Sequence, residues 1–254
     1  MHVILLAAGV GKRLAPYTEV RPKCLMDVQQ HTLLERHLVH CTRNGADRMT
    51  VVVGHLSEMI EAELAKLKPT VKLETKMNAN YRQGSIVSLR VGLEGVDDDI
   101  IFMDTDVLYH PQVLGRLFRT KNRSCLLIDA TSEESGEEMV VGVRGGRAHV
   151  IARRVSHLGP FEVQGESVGF FRVAREHLPG LTKAIDETIK EKGENNEYEE
   201  ALNRLFGMVE VGFERVDDLA WTEIDFAEDL RRAREDVAPE LPPLYAEPAR
   251  NAVT

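Results

Sequence analysis

The sequence predicts an α/β fold: a Rossmann-like, mixed and mostly parallel sheet with helices on both faces and a small antiparallel extension. Three observations predict it. Short apolar runs alternate with segments of helical period. The first apolar run ends in a glycine-rich turn, and the pair Gly145-Gly146 separates two apolar runs as in a hairpin. The chain of 254 residues is long enough for one large domain with a buried core.

The first half of the chain alternates between strands and helices. The predicted strands are Val3 to Ala8, Met49 to Val53, Val71 to Lys76 and Ile100 to Met103. The predicted helices are Leu33 to Val39, which Gly45 ends, Ser57 to Leu67, which Pro69 ends, and one that starts at Ile86. This alternation favours parallel strands joined by crossover helices.

The second half departs from that alternation. After a strand at Leu126 to Ile128, an acidic loop (Thr131 to Glu138) leads into a hairpin that we expect to extend the sheet over a substrate pocket. Its strands are Met139 to Arg144 and Arg147 to Ala152, and the helices Ala174 to Lys192 and Glu197 to Phe206 follow. We expect one domain over residues 1–236 and a proline-rich tail over 237–254, either packed on the surface or disordered.

Composition argues against several classes of protein. The formal net charge of −9 and the lack of a basic block disfavour nucleic acid as a partner. No apolar run approaches the roughly 20 residues of a membrane span, and the start does not look like a signal peptide, so we expect a cytoplasmic location. Cys24, Cys41 and Cys125 show no metal spacing and are expected to be free thiols.

The turn after the first strand is a candidate phosphate cradle. Gly9 and Gly11 are followed by Lys12 and Arg13, and glycines let backbone N–H groups close around a polyphosphate. An ordinary tight turn is the alternative. The spacing matches neither the P-loop nor the dinucleotide fingerprint, because Leu14 stands where the third glycine would be.

Residues 6–25, LAAGVGKRLAPYTEVRPKCL, resemble the signature of the sugar-phosphate nucleotidyltransferase superfamily, L-A-A-G-x-G-x-R-L-x-P-x-T-x-x-x-P-K-x-L. The resemblance implies that a phosphate oxygen attacks the α-phosphorus of a nucleoside triphosphate and releases pyrophosphate. It assigns catalysis to Lys23 and Arg13. It assigns nucleotide binding to Leu6, Ala7, Ala8, Gly9, Gly11 and Lys12.

Two further stretches extend the resemblance. Asn78, Gly84 and Ser85 occupy positions comparable to those that contact the nucleobase in the superfamily; a polar turn with Ser85 as a helix cap is the alternative. Asp106 and Asp225 match the two Mg²⁺ ligands of the superfamily, the second within W-x-E-I-D; a helix cap is the alternative for Asp225. Asp104 is placed at the nucleotide site in a supporting role.

The resemblance also suggests acceptor contacts. These are Arg153, with Arg154 as an alternative, Glu166, Tyr198 and Trp221. A carboxylate at a strand edge is an equally good interpretation of Glu166. For residues 194–200 the alternative is a solvated charged turn. A choline pocket would need aromatic walls and a carboxylate, which Tyr198, Trp221 and Phe170 with Glu197 or Glu199 could supply. Few aromatic residues are available, so a smaller or primary-amine acceptor stays open.

Within the superfamily, the chain looks most like bacterial cytidylyltransferases that activate phosphocholine, phosphoethanolamine or aminoalkyl phosphonates. We therefore expect CTP and a small phosphate or phosphonate acceptor as partners. The alternatives are a sugar-1-phosphate or inositol-phosphate nucleotidyltransferase using UTP, dTTP or CTP, and a non-catalytic nucleotide-binding regulatory protein. A homodimer is compatible with the sequence.

Overall fold

The computed structural model describes residues 1–132 and 136–245. The strands are β1 (His2–Ala7), β2 (Asp27–Val28), β3 (His31–Thr32), β4 (Arg48–Val53), β5 (Lys72–Met77), β6 (Ile100–Asp104), β7 (Val107–Tyr109), β8 (Cys125–Asp129), β9 (Val140–Arg144), β10 (Arg147–Ala152), β11 (Val163–Val173), β12 (Gly212–Arg215) and β13 (Trp221–Glu223). The helices are α1 (Tyr17–Val20), α2 (Leu33–Arg43), α3 (Ser57–Leu67), α4 (Ser85–Leu93), α5 (Pro111–Arg119), α6 (Leu178–Lys192), α7 (Glu199–Phe206) and α8 (Ala227–Arg232). A π-helical turn follows at Ala233–Val237, and short 3₁₀ turns lie at Lys12–Leu14, Lys23–Leu25, Ser156–Leu158, Arg175–His177 and Ala238–Glu240.

Nine strands form one mixed sheet in the order β10-β9-β11-β6-β1-β4-β5, with β8 beside β11 and β12 beside β8. Strand β1 is parallel to both β4 and β6, and β4 is parallel to β5. Strand β11 is antiparallel to β6, β8 and β9. The predicted fold class is confirmed, including the antiparallel extension.

Strand β1 shows why this sheet is covered on both faces. All six of its residues are buried, and alternate side chains enter two different apolar clusters. Val3 and Leu5 pack with residues of α2 and α5, while Ile4 and Leu6 pack with residues of α4, α6 and α7. A central strand that is apolar on both faces therefore requires helices above and below the sheet.

Strand β11 changes its neighbour halfway along its length. Val163 to Glu166 pair with β9, whereas Phe170 to Val173 pair with β6. Between these two halves the register against β8 shifts, and Gly169 adopts a φ of +77°. This bulge diverts β11 from β6 just where β6 ends, and it leaves the carboxyl end of β6 accessible.

The C-terminal segment is not the separate tail that the sequence predicted from residue 237. Val237, Ala238 and Leu241 are buried in a third apolar cluster that also contains Leu14 and Ile224. Apolar side chains on both sides of Pro239 therefore pack with the main body. Residues 246–254 lie outside the described residues.

Other predictions have clear outcomes. Helix α3 has the predicted bounds, and Gly45, at a φ of +90°, follows the end of α2. The three cysteines are buried and free. Among the described residues, no helix combines the length and apolar character that a membrane crossing requires.

Candidate active site

A cavity of about 470 Å³ opens at the carboxyl ends of β1 and β6 and at the start of α4 and α7. This is where ligands of parallel α/β sheets are expected. Most of the residues predicted to bind nucleotide or metal line it: Leu6, Ala7, Ala8, Gly9, Gly11, Lys12, Arg13, Lys23, Gly84, Ser85, Asp104, Asp106 and Asp225. Two of the four predicted acceptor residues, Arg153 and Tyr198, also line it.

The glycine loop is held from behind by Thr18. The Thr18 hydroxyl donates a 2.8 Å hydrogen bond to the carbonyl of Gly11. Gly11 has a φ of +65°, and a Cβ there would lie 3.0 Å from the Thr18 Cγ2 atom, so both conformation and space favour glycine. A Cβ at Gly9 would meet no atom within 4 Å among the described residues. The loop is therefore fixed on one side and open towards the cavity.

Lys23 lies between two carboxylates from distant parts of the chain. Its Nζ is 2.7 Å from Asp106 Oδ2 and 2.6 Å from Asp225 Oδ1, and only 12% of its side chain is exposed. Burial alone would lower the pKa of Lys23, but Asp106 and Asp225 raise it above its ordinary value. Lys23 is therefore a permanent cation in this cavity.

Arg13 supplies a second cation at the same place. Its guanidinium lies 2.5 Å from Asp225 Oδ2, 3.8 Å from Glu137 Oε2 and 5.3 Å from the centroid of the Phe226 ring. Each oxygen of the Asp225 carboxylate thus contacts one cation. The predicted catalytic residues Lys23 and Arg13 meet on this single acidic side chain.

Strand pairing brings the acidic residues together. Strand β13 pairs with β7, and the Ile224 amide donates a 3.0 Å hydrogen bond to the Asp106 carbonyl. Phe226 is the N-cap residue of α8, and the carboxylate of Asp229, in the first turn, accepts from the amides of Asp225 and Phe226. The Asp225 side chain is therefore not the helix cap. Asp225 is thereby left to face the cavity.

Asp106, Glu223 and Asp225 offer carboxylate oxygens that lie within 4.8 Å of one another. Asp106 Oδ1 is buried and has no hydrogen-bond partner among the described residues. An all-oxygen donor set with an unpartnered buried oxygen fits a hard divalent cation such as Mg²⁺. Glu223 was missed as a candidate ligand, although its spacing of two residues from Asp225 on extended backbone is the signal that it faces the same way.

Burial and neighbouring acids raise pKa values along the cavity floor. The pKa of Glu223 is raised first by burial and then by Asp106 and Asp225. The pKa of Asp104 is raised by burial and by Asp106, and its carboxylate accepts a hydrogen bond from the Tyr198 hydroxyl. Asp104 and Tyr198 therefore support each other beside Gly169, whose Cβ would lie 2.6 Å from Asp104 Oδ2.

Glu197 and Glu199, at the start of α7, line one side of the cavity and are called the acidic wall below. Ser85 donates a 2.6 Å hydrogen bond to Glu197 and accepts one from the Tyr198 amide, so residues 197–198 are anchored to the start of α4. Glu199 is only 8% exposed, and burial raises its pKa to about 8. Residues 194–200 are thus a solvated turn only in part: Asn195 and Glu197 are exposed, whereas Tyr198 and Glu199 are buried.

Two details at α4 complete this contact. Gly84 is the N-cap residue, so the alternative in which the Ser85 side chain caps the helix is not what the structure shows. A Cβ at Gly84 would lie 1.9 Å from the carbonyl oxygen of Asn196. Glycine is required there because two backbone segments approach each other closely.

Three predicted contacts lie outside the cavity lining. Asn78 is 1% exposed, donates to Ser88 and accepts from the Asn80 amide, so it shapes a turn instead of facing a nucleobase. Glu166 pairs with β8 and accepts from Ser132. Trp221 donates from Nε1 to Asp129, 2.9 Å away. None of these three side chains lines the cavity, because the position of a residue in a motif does not fix the direction of its side chain.

This chain is similar to known proteins in sequence and in fold. The family model for the MobA-like NTP transferase domain matches residues 3–180. The CMP-5'-(3-aminopropyl)phosphonate synthase of Streptomyces rubellomurinus is 30% identical over 118 residues, which are 46% of this chain. This chain spans only 19% of the length of that relative.

Two other proteins match over nearly their whole length. The CTP:phosphoglutamine cytidylyltransferase of Campylobacter jejuni is 22% identical over 254 residues, covering 91% of this chain and 98% of the relative. The solved inositol-1-phosphate CTP transferase from T. maritima superimposes with a TM-score of 0.73 at 21% identity, covering 93% of this chain and 97% of that one.

Proposed function

Because this chain belongs to the MobA-like NTP transferase family, we propose that it is a cytidylyltransferase. It transfers CMP from CTP to a small phosphate or phosphonate that also carries an amine, and it releases pyrophosphate. The observation that carries the proposal is the Lys23 ammonium held between Asp106 and Asp225 in the cavity behind the glycine loop. The nucleotidyl-transfer chemistry that the sequence predicted is confirmed at the level of the family.

The reaction follows from charge. An oxygen of the acceptor forms a bond to the α-phosphorus, and the bond from that phosphorus to the bridging oxygen of pyrophosphate breaks. The acceptor oxygen is already anionic at neutral pH, so no general base is needed. Several negative charges meet within a few ångströms, and catalysis consists mainly of holding and neutralising them.

The chain supplies fixed positive groups for this task. We assign the leaving pyrophosphate to the backbone of Gly9 to Lys12 and to Arg13, and the α-phosphate to Lys23. Asp106, Asp225 and Glu223 would hold Mg²⁺, which supplies further neutralisation of the phosphate oxygens when bound. Ser85 and Gly84, at the start of α4, are the groups proposed to lie beside the nucleobase.

The acceptor proposal is based on the acidic wall. Glu199 is buried, with its pKa raised to about 8, and a cation beside it would restore its ionised form. The activities for which two relatives are named agree with an amine-bearing or amino-acid-derived acceptor: CMP-5'-(3-aminopropyl)phosphonate synthase and CTP:phosphoglutamine cytidylyltransferase.

The same wall favours a primary ammonium over choline. Of the aromatic residues considered for a choline pocket, Phe170 is fully buried in the core and Trp221 is directed to Asp129. The Tyr198 hydroxyl is bound to Asp104. A quaternary ammonium is best held by aromatic faces, whereas a primary ammonium can donate hydrogen bonds to carboxylates.

A pyrophosphate-release assay tests this function. CTP, UTP, dTTP and ATP are each combined with 2-aminoethylphosphonate, phosphoethanolamine, phosphocholine, inositol phosphate and glucose-1-phosphate, with and without Mg²⁺. We expect release with CTP, Mg²⁺ and an amine-bearing acceptor. Preferred turnover of glucose-1-phosphate with UTP or dTTP would contradict the proposal. Nucleotide binding without turnover of any acceptor would support the regulatory alternative.

A further inference from the structure

We infer that Lys23 keeps the carboxylates of Asp106 and Asp225 closed to a divalent cation until a polyanionic substrate draws the ammonium away. The inference rests on the proposed function, because it concerns the order in which that site takes its metal and its nucleotide. It adds a competition between two cations for one pair of acidic side chains.

The contacts show how fully these carboxylates are engaged. Lys23 Nζ binds Asp106 Oδ2 at 2.7 Å and Asp225 Oδ1 at 2.6 Å, and Arg13 binds Asp225 Oδ2 at 2.5 Å. Both oxygens of Asp225 are therefore bound by cations, and Asp106 keeps only Oδ1. A divalent cation held by Asp225 must therefore share an oxygen with Lys23 or Arg13, or displace one of them.

Repulsion makes simultaneous binding unfavourable. A divalent ion held by these oxygens would lie within a few ångströms of the ammonium, and like charges at such distances repel by several kcal/mol at an effective dielectric constant near 20. Lys23 and Arg13 need an anion to replace the carboxylates. The phosphates of a nucleotide provide that anion on the cavity side, where the glycine loop is open.

Only the side chain of Lys23 needs to move. The backbone of Lys23–Leu25 is a 3₁₀ turn whose next two side chains, Cys24 and Leu25, are buried in the core. The lysine side chain itself lines the cavity and carries a flexible four-carbon stem. Metal binding and nucleotide binding are thereby coupled, and by linkage each must strengthen the other by the same factor.

The test measures Mn²⁺ alone, without nucleotide, by the electron paramagnetic resonance of the free ion. Lys23→Met removes the ammonium and keeps the length of the side chain. We expect this variant to bind Mn²⁺ at least about tenfold more tightly than the wild type, since removal of an adjacent like charge is worth more than 1.4 kcal/mol. Adding Asp225→Asn to Lys23→Met should abolish the gain.

Lys12→Met is the matched control, because Lys12 lines the same cavity and its side chain makes no ion pair with the described residues. It should change Mn²⁺ affinity by less than about threefold, the effect of a more distant charge. An equal gain in Lys12→Met, or tight Mn²⁺ binding by the wild type, would overturn the inference. If Lys23→Met does not fold, Arg13→Met, which frees the other oxygen of Asp225, must show a gain over Lys12→Met.

The pyrophosphate-release assay separates the two proposals. Turnover by the wild type together with no gain in Lys23→Met defeats the inference and leaves the function standing. A gain in Lys23→Met together with no turnover of any acceptor defeats the proposed function alone.

Discussion

Glu199 is a buried carboxyl group, and such a group is ionised at neutral pH only beside a positive partner. Its side chain faces the cavity from the first turn of α7, 8% exposed, while the next residue, Glu200, pairs with Lys192 at the surface. In the proposed function its partner is the ammonium group of the acceptor. In this proposal, Glu199 selects the acceptor although it does not contact the phosphates.

We expect Glu199→Gln to lower kcat/KM for an amine-bearing acceptor by about tenfold to a hundredfold, since a hydrogen bond to a charged group contributes about 1.5–3 kcal/mol. The loss should appear in the KM of the acceptor and leave the KM of CTP unchanged. Steady-state kinetics of pyrophosphate release measure both. Glu200→Gln is the control, and an equal loss in that variant would remove the assignment.

Some residues of the site were predictable from the sequence, and others were not. Lys23, Asp106 and Asp225 meet in the structure although up to 202 positions separate them. The sequence predicted each of them separately, from a motif or from its place at the end of a strand. Asn78 and Trp221 were assigned by the same motifs, and their side chains point away. Pairing partners such as Ser88 and Asp129 decide that direction, and the motif does not include them.

Strand β11 is the element that shapes the cavity floor. Its bulge at Gly169 combines a φ of +77° with a close approach to Asp104. An extra methyl group there would both strain the backbone and press on the carboxyl that binds Tyr198. The bulge is therefore tied to glycine for two separate reasons.

Gly169→Ala should lower the free energy of unfolding by about 2–4 kcal/mol, combining strain at positive φ with overpacking. Gly95→Ala is the comparison, because Gly95 has a similar φ of +69° and no atom lies within 4 Å of its ideal Cβ among the described residues. Urea unfolding of both variants gives the difference. Equal losses would mean that the Asp104 contact contributes nothing.

Long elements were predictable and short ones were not. Helix α3 and strand β4 follow clear apolar patterns, which fix their type and nearly their bounds. Strands β7 and β13 have three residues each, too few for a period to be recognised. Their pairing nevertheless delivers Glu223 and Asp225 to the site, so the missing information lay in tertiary contacts.

At the scale of the whole molecule, two buried histidines link stability to pH. His37 and His40 of α2 are 0% and 3% exposed, and burial lowers the pKa of each to about 3. Unfolded histidine titrates near 6.5. The unfolded state therefore binds more protons below this value, and the stability contributed by these groups is complete above about pH 6.5 and is lost as the pH falls towards 3.

His37→Gln should remove about 2 kcal/mol of the stability loss between pH 7 and pH 5, the linkage expected for one fully buried histidine. Urea unfolding at both pH values measures this slope for the variant and the wild type. The exposed His157→Gln is the control and should leave the slope unchanged. An unaltered slope in His37→Gln would show that His37 does not contribute to acid destabilisation.

The ion pairs that Asp225 makes with Arg13 and Lys23 join two stretches that lie far apart in the sequence. A ribosome synthesises the glycine loop first and Asp225 about two hundred codons later. During translation the loop therefore has its cations without this acidic counterpart.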